Sequence, residues 1–335
     1  MKKTLLLTIL VSLYHLYATA QDPHFSQFYA SPLTLNPAFA GKFDGTFRIA
    51  GIHRNQWPSI NRAFVTTSVA VDFPIMQNHI GVNDTWGVGL MGFSDQSAAG
   101  AVKFNYASVG TAYHKGLDED GYHQIGAGFQ ATYANMMIDV NKINFEDQLT
   151  PFGFTGVTTE VFTNSTLKNS YVDVNAGLLY SGSTTDRNNF YAGVSMYHIN
   201  RPKQQFTGAY FLLNPRVTLQ GGTYFAVGQN STLHLSAMHS AQGKAFETLL
   251  GGAYQVTVGE YSEYPASFYF GSWMRMNDAV IPYIGLEYRS LRLGFTYDAN
   301  TSNLKTASNA RGGIELSLIY IRKPEESRGI NCPKF

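Results

Sequence analysis

This chain is poor in charge, in cysteine and in long apolar runs. Only 14% of its 335 residues are Asp, Glu, Lys or Arg, where a soluble domain carries about 25%. The formal net charge is +1, so no strong field gathers nucleic acid, which is not expected as a partner. The single cysteine, Cys332, excludes an internal disulfide. Export would permit an intermolecular bond, but a free thiol is the simpler state. Beyond residue 20 no stretch approaches the ~20 apolar residues of a membrane helix. If such a chain crosses a membrane, it does so as a closed barrel, which leaves no backbone group unpaired.

Aromatic residues and glycine are plentiful instead. Aromatics make up 14% of the chain, with 21 Tyr and 23 Phe, and there are 32 Gly. A barrel in lipid has this composition, because half of each strand faces hydrocarbon and aromatic girdles mark both interfaces. Residues 1–20 read as an export signal. Lys2 and Lys3 are its charged start, Leu5 to Leu16 its apolar stretch, and Ala18-Thr19-Ala20 its cleavage site. The apolar run is short and broken by Tyr14, His15 and Tyr17, which argues against a membrane helix. The mature chain then begins at Gln21.

Alternation with period 2 fills the body in about fourteen segments near the ten-residue spanning length of outer-membrane strands. Val172, Val174, Ala176 and Leu178 alternate with Tyr171, Asp173, Asn175 and Gly177. Ile314, Leu316, Leu318 and Tyr320 alternate with Glu315 and Ser317. One face suits lipid or a core, the other a polar lumen. If the N-terminus is periplasmic, odd-numbered connections lie outside the cell. The long connections expected at 136–170, 200–214 and 299–312 are all odd, with 74–84 a moderate exception on the other side. Long outside and short inside is the outer-membrane pattern, which a soluble β-sandwich has no reason to follow. An extra hairpin strand is expected at 157–162.

The expected fold is therefore all-β. It is a transmembrane antiparallel barrel of about fourteen strands at 45–322. A lead at 21–44 precedes it, periplasmic or tucked into the lumen as a plug, and a tail at 323–335 follows.

Motifs that suggest chemistry do not survive their context. Gly87-Val88-Gly89-Leu90-Met91-Gly92 spells a dinucleotide fingerprint, but it falls inside a strand with no helix to meet a phosphate. Ser165-Thr166-Leu167-Lys168 matches S-x-x-K in a polar loop, without the helix that motif needs. The nine His are scattered without zinc-ligand spacing. Glu247, Glu287, Asp298 and Glu315 are candidates for inward charge, balanced by Arg216, Arg275, Arg289 and Arg292 across the lumen. No catalytic residue, cofactor or metal is expected.

The lead carries a distinctive pattern: Gln21-Asp22-Pro23, Ser26-Gln27-Phe28, Pro32-Leu33, Leu35-Asn36-Pro37-Ala38 and Gly41. Its prolines favour extended or turning chain over a long helix. Arg54-Asn55-Gln56-Trp57 and Asp72-Phe73-Pro74 follow. Later come Gly285-Leu286-Glu287-Tyr288-Arg289, Gly294-Phe295-Thr296-Tyr297-Asp298 and Glu315-Leu316-Ser317-Leu318, and Cys332-Pro333-Lys334-Phe335 ends the chain. In these segments the chain resembles the PorP/SprF family of type IX secretion proteins, over essentially all of the mature protein. It departs in having Gly313-Ile314 where many members have Ser-His, and Lys334 where Arg is usual. The Arg54-Asn55-Gln56-Trp57 stretch, Asn214-Pro215-Arg216 and the terminal tetrapeptide look more like the SprF side.

The resemblance implies an outer-membrane barrel of Bacteroidota, not an enzyme, working with other type IX components. SprF-like members serve the secretion or surface retention of a particular large partner, such as a gliding adhesin. PorP-like members belong to the general envelope-spanning apparatus. The lead residues Asp22, Pro23, Ser26, Gln27, Phe28, Pro32, Asn36, Pro37 and Gly41, and the terminal Cys332, Pro333, Lys334 and Phe335, are then structural or docking elements. The partner is expected at the extracellular loops, which a rigid scaffold presents. A passive diffusion channel is the rival from another class.

Overall fold

Fourteen antiparallel strands close into one barrel in this computed structural model, which describes residues 21–60, 64–77, 79–162, 164–185, 187–206, 210–259, 265–303 and 305–323. In chain order they are β1 (Phe47–Gln56), β2 (Phe64–Ile75), β3 (Thr85–Ser97), β4 (Val102–Gly116), β5 (His123–Asp139), β6 (Thr166–Thr185) and β7 (Asn188–Tyr197). The second half is β8 (Arg216–Ala226), β9 (Ser231–Gln242), β10 (Ala245–Val258), β11 (Ala266–Arg275), β12 (Ala279–Tyr288), β13 (Leu291–Asn300) and β14 (Arg311–Arg322). Each strand pairs with its sequence neighbours, and β1 closes on β14 from Phe47↔Arg322 to Gln56↔Gly313.

The pleat sorts the side chains inside out relative to a soluble protein. On β5 the outward residues are Ile125, Phe129 and Tyr133, and the inward ones are Gln124, Gln130 and Thr132, all buried. On β14 Leu316 is 57% exposed while Glu315 beside it is 1% exposed. An apolar outer face with a buried polar interior is stable only if lipid solvates the outside. Glycine, which sheets normally avoid, is placed on the inward face of β3 at Gly87 and Gly89, so the letters of a dinucleotide fingerprint belong to a strand.

The long connections 140–165, 198–215 and 301–310 share one end of the barrel. Two corrections concern that end. β5 and β6 continue in register as far as Asp139↔Thr166, so the connection expected from 136 to 170 is shorter, and Thr166 to Lys168 is strand. The extra hairpin lies at Leu149–Thr150 and Gly153–Phe154 rather than at 157–162. The Asp147 carboxylate accepts from the Thr158 hydroxyl at 3.0 Å and from the Thr159 hydroxyl at 2.9 Å, and also takes the Thr159 N–H. Those bonds occupy the donor a strand would need, which turns the chain instead. A second hairpin, Lys203–Gln205 with Tyr210–Leu212, rises from the next long connection.

The lead runs inside the barrel. It is built of three single turns, Phe28–Ala30, Pro32–Leu35 and Pro37–Phe39. Pro32 and Pro37 open their turns at positions whose N–H would have no partner. Asp22 lies among strand ends of the long-connection side, beside Gln242 and His198. Gly41 and Lys42 lie at the opposite end, against Asp72 and Gln124. The chain thus enters the lumen at one mouth, traverses it, and turns at the other into β1. The signal at 1–20 and the tetrapeptide Cys332-Pro333-Lys334-Phe335 lie outside the described residues.

Candidate functional site

The lumen and the strap that fills it form the site. Nearest the long-connection end, Asp22 takes a hydrogen bond from the Gln242 amide at 3.0 Å. One of its oxygens pairs with His198 Nε2 at 2.7 Å and stands 3.6 Å from Arg216 Nε. His198 Nδ1 faces Asp173 at 2.9 Å. Burial alone raises the Asp22 pKa, but the His198 imidazolium and the Arg216 guanidinium outweigh it and hold the carboxyl below the usual range. For His198 burial works downward, and the two flanking carboxylates lift the imidazole to about 9. One turn on, His24 Nε2 meets Glu247 at 3.0 Å.

Ser26 and Gln27 occupy the next layer. Their backbone N–H groups donate to the two Glu315 carboxylate oxygens, at 2.6 and 2.8 Å. The Ser26 hydroxyl donates to Asp298 at 2.9 Å and accepts from Arg54 at 2.6 Å and Arg275 at 2.5 Å. Arg54 also bonds Asp298 at 2.9 Å and Glu315. Gln27 reaches Thr296 at 3.2 Å and accepts from the Ser317 hydroxyl at 2.7 Å. Two arginines and two carboxylates would be costly to bury alone. Here a single serine hydroxyl sits between them.

The α-turn Pro32–Leu35 leaves carbonyls without helical partners, and the wall supplies donors. Tyr197 Oη donates to Leu33 O at 2.7 Å, Ser195 Oγ to Leu35 O at 2.7 Å, and Arg216 to Thr34 O at 3.1 Å. Asn36 then acts as a piece of backbone. Its Nδ2 donates to the carbonyls of Leu178 at 3.0 Å and Val194 at 3.2 Å, on adjacent strands β6 and β7, while its Oδ1 accepts from Ala38 N at 2.8 Å. The strap comes this close because the wall has no side chains there. A Cβ on Gly177 would run into Asn36, one on Gly128 into Ala38, and one on Gly87 into Ala40. At the exit Asp72 accepts from Gly41 N at 2.8 Å and is held by Arg48 in a two-point ion pair at 2.8 and 2.9 Å. Gly41 turns there with φ at +71°. Phe28, Leu35, Ala38 and Phe39 pack with Leu179, Tyr191, Met238 and Trp273 in one buried cluster.

Residues 18–320 match the family described as type IX secretion system membrane protein PorP/SprF. The chain is a member of the PorP/SprF family. No curated relative matches it. Several solved barrels are similar at low identity. The Pseudomonas putida toluene transporter TodX aligns at 10% identity and a TM-score of 0.48, over 87% of this chain and 92% of that one. The Ralstonia pickettii toluene transporter TbuX aligns at 9% and 0.47, over 88% and 94%. A Pseudomonas aeruginosa FadL homologue aligns at 10% and 0.46, over 85% and 92%.

Within this PorP/SprF protein the motif residues fall along the strap. Asp22, Ser26, Gln27, Asn36 and Gly41 make the polar contacts above, while Phe28, Pro32 and Pro37 are buried. Pro23 is half-buried between the first two layers. Of the charges expected to face inward, Glu247, Glu287, Asp298, Glu315, Arg216, Arg275 and Arg292 do so in ion pairs. Arg289 does not. It lies in the turn after β12, over the Tyr288 ring at 5.4 Å. The sequence reading counted none of Arg48, Arg54, Asp72 and His198 among the inward charges, and quoted Arg54 and Asp72 only for the family resemblance. All four sit at strand ends, and in a chain so short of charge, an ionisable residue on the lumen phase of a strand was the signal.

Proposed function

We propose that this chain is a non-enzymatic, plugged outer-membrane barrel of the type IX secretion system. Its long-connection end faces outward and receives or anchors a secreted surface protein. The observation that carries this reading is the strap. A segment bonded to the wall from Asp22 to Gly41 suits a sealed scaffold better than a conduit for solutes. Exposed apolar residues on the long connections, such as Phe152, Val161 and Phe211, offer the partner a surface. We place the protein on the SprF-like side, with one dedicated partner such as a gliding adhesin. The signal at 1–20, cleaved after Ala20, would deliver it.

Deletion of the gene tests this. Loss of one surface protein, with other type IX cargo still secreted, is the expected outcome. Loss of every type IX substrate would instead make it part of the general apparatus. Porin-like ion conductance of the purified full-length protein in planar bilayers would favour the diffusion channel.

A further inference from the structure

The outer face of β3–β6 changes character near the long-connection end. Its apolar band stops at a row of paired residues, Gly92, Ala107, Tyr133 and Val172. The next outward row is Ser94, Asn105, Asn135 and Ser170, and the one above it is Gln96, Lys103, Met137 and Lys168. Neither of these two rows holds an acid. Asn135 Nδ2 donates to Ser170 Oγ at 2.8 Å. The outward acid above Met137 is Asp139, which accepts from Asn141 N at 3.2 Å and lies 3.7 Å from Lys142. Lys103 and Lys168 are both exposed and have no ion-pair partner among the described residues. On the other half of the barrel the outer face stays apolar to the strand ends, at Val217, Phe246, Met274 and Val280.

The height of the lysine row decides what it meets. Trp86 and Tyr113 pair on β3 and β4 near the short-connection end, where an indole and a phenol mark one edge of the apolar band. From Tyr113 to Lys103 is about ten residues of β4, some 25 Å along the membrane normal at ~3.4 Å per residue and ~40° of tilt. An outer-membrane apolar band is ~25 Å tall, so Lys103 stands at its opposite edge, level with lipid headgroups. Lys168 is two strands away, about 10 Å along the ladder. A lysine is a point charge on a flexible stem, so both ammonium groups can lean onto one phosphate. The amides of Gln96 and Asn105 are donors beside it. Beneath lie Leu90, Val109, Phe129 and Val172, all outward and exposed. A free phosphate would use the polar rows alone, whereas a phosphate carrying acyl chains uses both.

We propose that the outer face of β3–β6 binds a phosphorylated lipid of the surrounding leaflet. Its phosphate sits between Lys103 and Lys168, and its acyl chains run down the apolar rows. The inference rests on the barrel spanning a membrane, and not on the identity of a secreted partner.

Native mass spectrometry of the full-length protein in detergent, with diphosphoryl lipid A as the probe, tests this. The intact chain should retain the lipid. Lys103→Gln combined with Lys168→Gln should lower retention about tenfold or more. Lys305→Gln, in the exposed 301–310 connection farther round the rim, should not. Lipid A stripped of its phosphates should be held no better by the intact chain than the diphosphoryl form is by the double variant. Inorganic phosphate at equal concentration should not displace the lipid. Heat-dependent gel mobility would verify that each variant is folded. Equal retention by the double variant would overturn the proposal and leave the lysines as solvated charges on strands that project beyond the membrane. Displacement by inorganic phosphate would overturn it in favour of a free-anion site.

Discussion

At the scale of single residues, the strap is held by side chains that imitate backbone. Asn36 is the sharpest instance, because its amide spans two strand carbonyls and a turn N–H at once. Asn36→Ala should cost about 1–3 kcal/mol, the usual penalty for leaving buried polar groups unpaired. Asn36→Asp should cost more, since it sets an acceptor against two carbonyls. Gel mobility against temperature measures both. Gly128→Val should destabilise by about as much as Asn36→Ala, by overpacking against Ala38. Arg54→Met leaves Glu315 without its cation and Asp298 with Arg275 alone, at 3.1 Å, a loss of about 3–5 kcal/mol. Adding Glu315→Gln should restore part of it, and full additivity of the two would refute the coupling.

Among the elements, the strap is an independent one with its own fastening, and pH acts on that fastening. The folded pKa of His198, about 9, lies above its ordinary 6.5. Its contribution is therefore complete below about pH 6.5 and is lost as pH rises through 9. Asp22 is held below its ordinary 3.8, so its contribution is complete above about pH 4 and lost in stronger acid. Between those limits the N-terminal end of the strap should be best protected. Hydrogen exchange at residues 24–27 should speed up from pH 6.5 to 9.5 beyond the intrinsic base catalysis, and His198→Asn should abolish that excess. The strands were legible because period-2 alternation is local, and a side chain on the wrong face would meet lipid. The 157–162 strand was misplaced because alternation does not report whether a partner edge exists. There, one carboxylate at Asp147 outcompeted pairing.

For the whole molecule, the strap converts a barrel of porin size into a filled one. Removing residues 21–41 would leave Arg54, Arg275, Asp298 and Glu315 in a wet lumen. The variant should conduct ions in planar bilayers several-fold more than the intact chain, and it should unfold at lower temperature. Equal conductance and equal stability would show that the strap neither seals nor braces the barrel.

The sequence alone determined the strand number, the sorting of loop lengths and the unusual character of the lead. These follow from local alternation, turn residues and composition. Only the tertiary structure decided where the lead goes and what holds it. Ser26 meets Arg54, Arg275, Asp298 and Glu315, which lie up to 289 positions away in the chain. Barrel closure through β1 and β14 is what brings Arg54 and Glu315 side by side. Lumen-facing charge could be read from the phase of each strand. Its pairing could not, because partners across a barrel are set by register and closure, and no local pattern encodes either.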